Sequence, residues 1–193
     1  MIITHVLFDL DGTLIDTAPE IADAVNGALR RHGRPAVSAE QVRGWIGHGA
    51  RRLLAQAITH EPAGEVPEAM LDAIWRDFEL DYLECCGTTS VLYPGVRDAL
   101  DRLHDQGRLL AVLTNKEAAF THRLLSRHDL TPYFDLIIGG DTLAVRKPDP
   151  EVALHALRTM DAEPEDALLV GDSAVDVLLA RAAGIPVWCV DYG

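Results

Sequence analysis

Apolar, β-rich runs of strand length recur along the chain at residues 2–8, 109–113, 136–138, 167–170 and 186–190. Between most of them apolar positions recur at i, i+3 and i+4, which predicts amphipathic helices over residues 96–104, 118–125, 151–160 and 175–183. Strands that alternate with helices need crossover connections, so the pattern predicts an α/β, doubly wound core whose parallel sheet is covered on both faces. Residues 16–87 break the alternation, because they read as three or four helices with no convincing strand among them. Pro19 falls early in the first, where a missing N–H does no harm; residues 22–31 continue it, and Gly33 and Pro35 end it. A second helical stretch, 39–58, is interrupted by Gly44, Gly47 and Gly49, and a third covers 67–84. Tyr93-Pro94-Gly95 marks the return to the sheet. The predicted organisation is a core domain of residues 1–15 and 88–193 that carries a helical insertion, 16–87.

Composition narrows the functions such a fold could serve. A chain of 193 residues suits one sizeable domain with a smaller insertion, and at this size ~70% of the unfolded surface is buried, enough for a deep cleft. The net charge of −13 argues against nucleic acid or an anionic membrane as the main partner, since both need a basic footprint. It does not exclude a small anionic substrate held by local cations. The short apolar N-terminal run has no basic leader and meets Asp9 at once, which is not the pattern of a signal peptide, and no run approaches the ~18 apolar residues of a membrane span. Cys85, Cys86 and Cys189 are odd in number and two are adjacent, which suits a reducing compartment. The expectation is a cytoplasmic protein, with monomer and homodimer both open. The histidines are scattered without the paired spacing of a zinc site.

Chemistry is concentrated where apolar runs end. In Val6-Leu7-Phe8-Asp9-Leu10-Asp11-Gly12-Thr13 two carboxylates stand two residues apart as a buried strand emerges. In an extended segment they would share a face, and two adjacent anions at the edge of a core call for a compensating cation, most simply a hard divalent ion such as Mg²⁺. The alternative is that Asp11-Gly12 is only a hairpin turn. Thr114-Asn115 likewise follow an apolar run, and so do Gly171-Asp172-Ser173. In an open parallel sheet, ligands bind outside the carboxyl ends of the strands. Thr114 and Asn115 could instead cap a helix, although a helix N-terminus is also a ready phosphate site. Ser173 could form a capping box with Asp176, which leaves Asp172 unexplained. Lys147 lies in Arg146-Lys147-Pro148-Asp149-Pro150, where two prolines stiffen the chain beside it.

Taken together and in order, Asp9-Leu10-Asp11-Gly12-Thr13, Thr114, Lys147-Pro148 and Gly171-Asp172 with Asp176 resemble the motif set of the haloacid dehalogenase superfamily. The resemblance covers nearly the whole chain and implies a Rossmann-like core, with residues 16–87 as a mobile α-helical cap. Leu113-Thr114-Asn115-Lys116 and Gly44-Trp45-Ile46-Gly47-His48-Gly49 resemble its phosphoglycolate phosphatase branch. Two features depart from the pattern. Ala174 and Val175 stand where relatives often carry polar residues, and the sequence stops at Asp191-Tyr192-Gly193 where similar proteins continue to a terminal helix, which bears on the sheet edge more than on the chemistry.

The resemblance implies a Mg²⁺-dependent phosphatase acting through an aspartyl-phosphate, with 2-phosphoglycolate as the expected substrate. Asp9 would be the nucleophile and Asp11 the acid and base; Mg²⁺ would be held by Asp9, the Asp11 backbone carbonyl and Asp172, with Asp176 and Ser173 behind them. Thr114, the Asn115 backbone N–H and Lys147 would bind the phosphoryl oxygens, and Gly12 would allow close backbone approach. Gly47, Arg51, Arg52 and Lys116 are candidates for contacting the rest of the substrate, although the two arginines suit a solvated helix face equally well. A sugar-phosphate mutase, a sugar-phosphate phosphatase and a pyrophosphatase on the same scaffold are the alternatives. A non-catalytic binding protein is disfavoured because Asp9, Asp11, Lys147 and Asp172 are all intact.

Overall fold

All four residues of β1 (His5–Phe8) are buried, because both faces of this strand are covered. The computed structural model, which describes residues 2–61 and 64–193, continues with β2 (Ile15–Asp16), α1 (Ala18–Arg31), α2 (Ala39–Arg43), α3 (Ala50–Thr59), α4 (Glu68–Cys85) and β3 (Val91–Leu92). Then come α5 (Val96–Asp105), β4 (Leu109–Leu113), α6 (Ala118–Arg127), β5 (Leu136–Ile138), α7 (Glu151–Thr159), β6 (Ala167–Gly171), α8 (Ala174–Ala183) and β7 (Val187–Cys189). Five strands form a parallel sheet in the order β5-β4-β1-β6-β7. Strand order reverses at β1, with β4 on one side and β6 on the other, so the crevice of the doubly wound sheet opens at the carboxyl end of β1.

Side chains alternate across the sheet as the two-residue period requires. Val6, Phe8, Leu110 and Val112 pack with Leu100 of α5 and Phe120 and Leu124 of α6. Leu7, Ala111, Leu113 and Leu169 face the other way, against Val152 and Ala156 of α7 and Leu179 and Ala180 of α8. This double coverage explains why the strands read as near-continuous apolar runs rather than alternating ones.

Helices α1 to α4 lie between β2 and β3, which pair antiparallel through Ile15–Leu92 and Asp16–Val91. This ladder ties together the chain leaving the sheet and the chain returning to it. At two residues per strand it is too short for any period to show in the sequence, and Asp16 is strand rather than helix. The stretch 39–58 divides into two helices, α2 and α3, because Gly47 (φ +108°) and Gly49 (φ +87°) adopt backbone conformations that L side chains rarely reach. In α4, Ile74, Phe78 and Tyr82 are buried at a spacing of four, and the last two pack edge-on against Phe120 of α6. No helix among the described residues is long and apolar enough to cross a membrane.

Candidate active site

Asp9 follows β1 with the parity of Leu7, and so it leaves the strand on the face covered by α7 and α8. Those helices bring its partners. Lys147, just before α7, places Nζ 2.9 Å from Asp9 Oδ1 and donates to Asp176 Oδ1 at 2.7 Å, with all three side chains almost fully buried. The second oxygen of Asp176 accepts from the Ser173 backbone N–H at 3.1 Å and from Ser173 Oγ at 2.6 Å. The Ser173–Asp176 cap expected at the start of α8 is therefore present, and the same carboxylate also anchors Lys147. Asp172 accepts from Thr13 Oγ1 at 2.8 Å. Gly12 has φ +84°, and a Cβ there would run into the Asp172 carboxylate, so turn geometry and close approach both demand glycine.

One ligand oxygen each from Asp9, Asp172 and Asp176 can be chosen so that all lie within 4.8 Å of one another. Three carboxylates thus converge where a single ammonium, Lys147, contacts two of them, Asp9 and Asp176. Burial, reinforced by Asp176 and Asp172, outweighs the Lys147 charge and pushes the Asp9 carboxyl up to about 8. Burial also raises Asp172. Burial opposes the charged forms of Lys147 and Asp176 as well, but attraction prevails: Asp9 and then Asp176 raise the ammonium, and Lys147 lowers the Asp176 carboxyl. An excess of buried negative charge on hard oxygen donors fits a divalent cation of the Mg²⁺ type.

Asp11 goes elsewhere. The chain turns at Leu10, whose carbonyl accepts from the N–H groups of Thr13, Leu14 and Ile15 at 3.4, 2.9 and 3.1 Å. The Asp-Gly turn and the carboxylate pair therefore coexist, and the turn separates the carboxylates' partners instead of leaving them side by side as in a continued strand. Asp11 Oδ1 accepts from Thr17 Oγ1 at 2.7 Å, and Oδ2 accepts from Lys116 Nζ at 2.9 Å. Thr17 had no signal in the sequence beyond its place before α1. The Lys116 ammonium also lies over the ring of Tyr82 in α4, 5.0 Å from its centroid.

Thr114 and Asn115 lie in the loop after β4, three residues short of α6, so neither caps that helix. The Lys116 backbone N–H donates to Thr114 Oγ1 at 3.2 Å. Asn115 Nδ2 donates to the carbonyls of Gly47 (2.8 Å) and Lys147 (3.0 Å), joining the glycine loop of the insertion to the core. Asp9, Asp11, Thr114, Asn115 and Lys116 share with Gly47 a small cavity of about 40 Å³ under α3 and α4. The two arginines are elsewhere: Arg51 pairs with Glu68 and Asp72 at 3.0 and 2.7 Å and lies over Trp75, and Arg52 is exposed.

The sequence also gave no sign of Glu20. It is fully buried in α1, and its Oε2 accepts from four successive backbone N–H groups, Gly87 to Ser90, at 2.9–3.2 Å. An acidic residue in a helix's first turn is ordinary, so nothing local distinguished it.

A sequence profile described as haloacid dehalogenase-like hydrolase matches residues 6–190. A phosphoglycolate phosphatase of Nitrosospira multiformis is 41% identical over 99% of this chain and 84% of its own length. Phosphoglycolate phosphatase 1 of Pseudomonas aeruginosa is 44% identical over 97% of this chain and 69% of its own. The crystal structure of a predicted phosphoglycolate phosphatase from Haemophilus somnus superposes with a TM-score of 0.92 at 32% identity, covering 99% of this chain and 86% of that one.

Proposed function

The chain belongs to the haloacid dehalogenase-like hydrolases, and on that premise we propose that it is a Mg²⁺-dependent phosphatase of small phosphate monoesters, with 2-phosphoglycolate as its substrate. The observation that carries this reading is the convergence of Asp9, Lys147, Asp172 and Asp176 at the carboxyl end of the central strand. Asp9 attacks phosphorus, forming the bond of an aspartyl-phosphate as the ester P–O bond breaks. Asp11 gives its proton to the leaving alcohol oxygen, then takes one from the water that releases phosphate. Lys147, Thr114 and the Asn115 backbone N–H meet the phosphoryl oxygens, where charge stabilisation dominates. Asp9, Asp172 and the Asp11 carbonyl would hold Mg²⁺, with Asp176 orienting them, and the bound ion would offset the charge that otherwise keeps anion from anion.

Residues 16–87 act as the cap, which the Asn115–Gly47 hydrogen bond and the Lys116–Tyr82 contact join to the core. Closure excludes water and commits the substrate. The cavity is walled in large part by the apolar side chains of Ile21, Ile46, Leu53, Phe78 and Phe120, which give the hydroxyls of a hexose phosphate few partners. The substrate proposal also draws on the relatives, several of which are named phosphoglycolate phosphatases. The test is phosphate release from 2-phosphoglycolate, hexose phosphates and pyrophosphate, with and without Mg²⁺. The expected result is Mg²⁺-dependent hydrolysis with the highest kcat/KM on 2-phosphoglycolate. A tenfold preference for a sugar phosphate or pyrophosphate would overturn the substrate, and isomerisation of β-glucose 1-phosphate without phosphate release would replace the hydrolase with a mutase.

A further inference from the structure

The chain contains only two lysines, Lys116 and Lys147; every other basic side chain apart from histidine is arginine. Both lysines are buried, at 7% and 3% exposure, and each pairs with one carboxylate of the Asp9-Leu10-Asp11 segment. Lys147 is accounted for by the nucleophile. Lys116 is not: a buried ammonium carries a desolvation cost that a single ion pair offsets poorly. An ammonium has three donors, and among the described residues this one makes one hydrogen bond, to Asp11. It also lies over the face of Tyr82 and within the electrostatic reach of Glu117, which lines the same cavity, and the remaining walls include the apolar side chains of Ile21, Leu53, Phe78 and Phe120.

We infer that Lys116 is the specificity residue, receiving a carboxylate borne on the carbon next to the ester oxygen. This rests on the phosphatase reading and deepens it. Asp11 must reach the leaving oxygen, and Lys116 Nζ is 2.9 Å from Asp11, so a group one carbon beyond that oxygen is brought to the ammonium. A carboxylate there supplies a second hydrogen-bonded anion and shares the ammonium with Asp11. An uncharged group offers no such pairing, and a polyol would leave hydroxyls unpartnered against the apolar walls. Arg51 cannot take the role from its place between Glu68 and Asp72.

The experiment compares kcat/KM for 2-phosphoglycolate and for ethyl phosphate in the wild type, Lys116→Met and Lys116→Arg, with Mg²⁺ saturating and folding checked by thermal melting. Lys116→Met is expected to slow both esters, because Asp11 loses a partner, but to lower the preference for 2-phosphoglycolate at least tenfold more, mainly through KM. Lys116→Arg should restore part of that preference. Equal losses on both esters in Lys116→Met would overturn the inference and reduce Lys116 to a positioning residue for Asp11. If Lys116→Met does not fold, Lys116→Gln takes its place with the same expectation. Failure of the phosphatase reading is a separate result, seen in the wild type alone as no Mg²⁺-dependent phosphate release from either ester, and it would overturn this inference too.

Discussion

Two carboxylates two residues apart take different partners because the backbone turns between them. Asp9 stays with the sheet and meets Lys147, whereas Asp11 swings under the insertion to Thr17 and Lys116. If Asp11 moves protons for the leaving group, Asp11→Asn should cut turnover of alkyl phosphates by about 10²–10⁴-fold. The loss should be much smaller for an aryl phosphate whose leaving group needs no proton. Equal losses on both would remove proton transfer as its role. The sequence made Asp9, Asp11, Lys147 and Asp172 legible because each falls at a strand end or beside a rigid proline, where chain position alone limits what a charged side chain can do. It could not make Thr17, Tyr82 or Glu20 legible, because their partners lie 6, 34 and about 67–70 residues away and only the folded chain brings them together.

At the scale of elements, the insertion is fastened to the core by devices that leave little mark on hydrophobic periodicity. The two-residue ladder of β2 and β3 is one, and the Glu20 carboxylate is another, since it gathers four backbone N–H groups of the returning segment before β3. Hydrogen bonds to a charged group stabilise by about 1.5–3 kcal/mol. Glu20→Gln keeps the shape and removes the charge, so the expected cost is of that size, or roughly 3–12 °C in Tm for a chain of this length. Thermal melting checks it, and an unchanged Tm would mean that the four N–H groups are satisfied equally well without the anion. Helices α1 and α4 were readable from their spacing. The break between α2 and α3 was visible only as three glycines, whose positive φ at Gly47 and Gly49 turns the chain so that the Gly47 carbonyl meets Asn115.

Across the whole molecule, an acidic protein with net charge −13 concentrates both of its lysines in the crevice at the end of β1. The fold class followed from alternating strands and helices, because a parallel sheet must have both faces covered and its strands must then be apolar throughout. Which strand sits in the middle was not readable from periodicity, since order depends on pairing between segments about 100–160 residues apart. That order brings Asp9, Lys147, Asp172 and Asp176 together, and the central claim is that Asp9 is where phosphorus is first transferred. Its most direct test is rapid acid quenching of the protein turning over 2-phosphoglycolate with Mg²⁺, followed by intact mass and peptide mapping. The prediction is an adduct of one phosphoryl group on the peptide carrying Asp9, absent when Mg²⁺ is chelated and absent in a folded, inactive Asp9→Asn. Turnover by Asp9→Asn near the wild-type rate, or an adduct mapped to another residue, would contradict it.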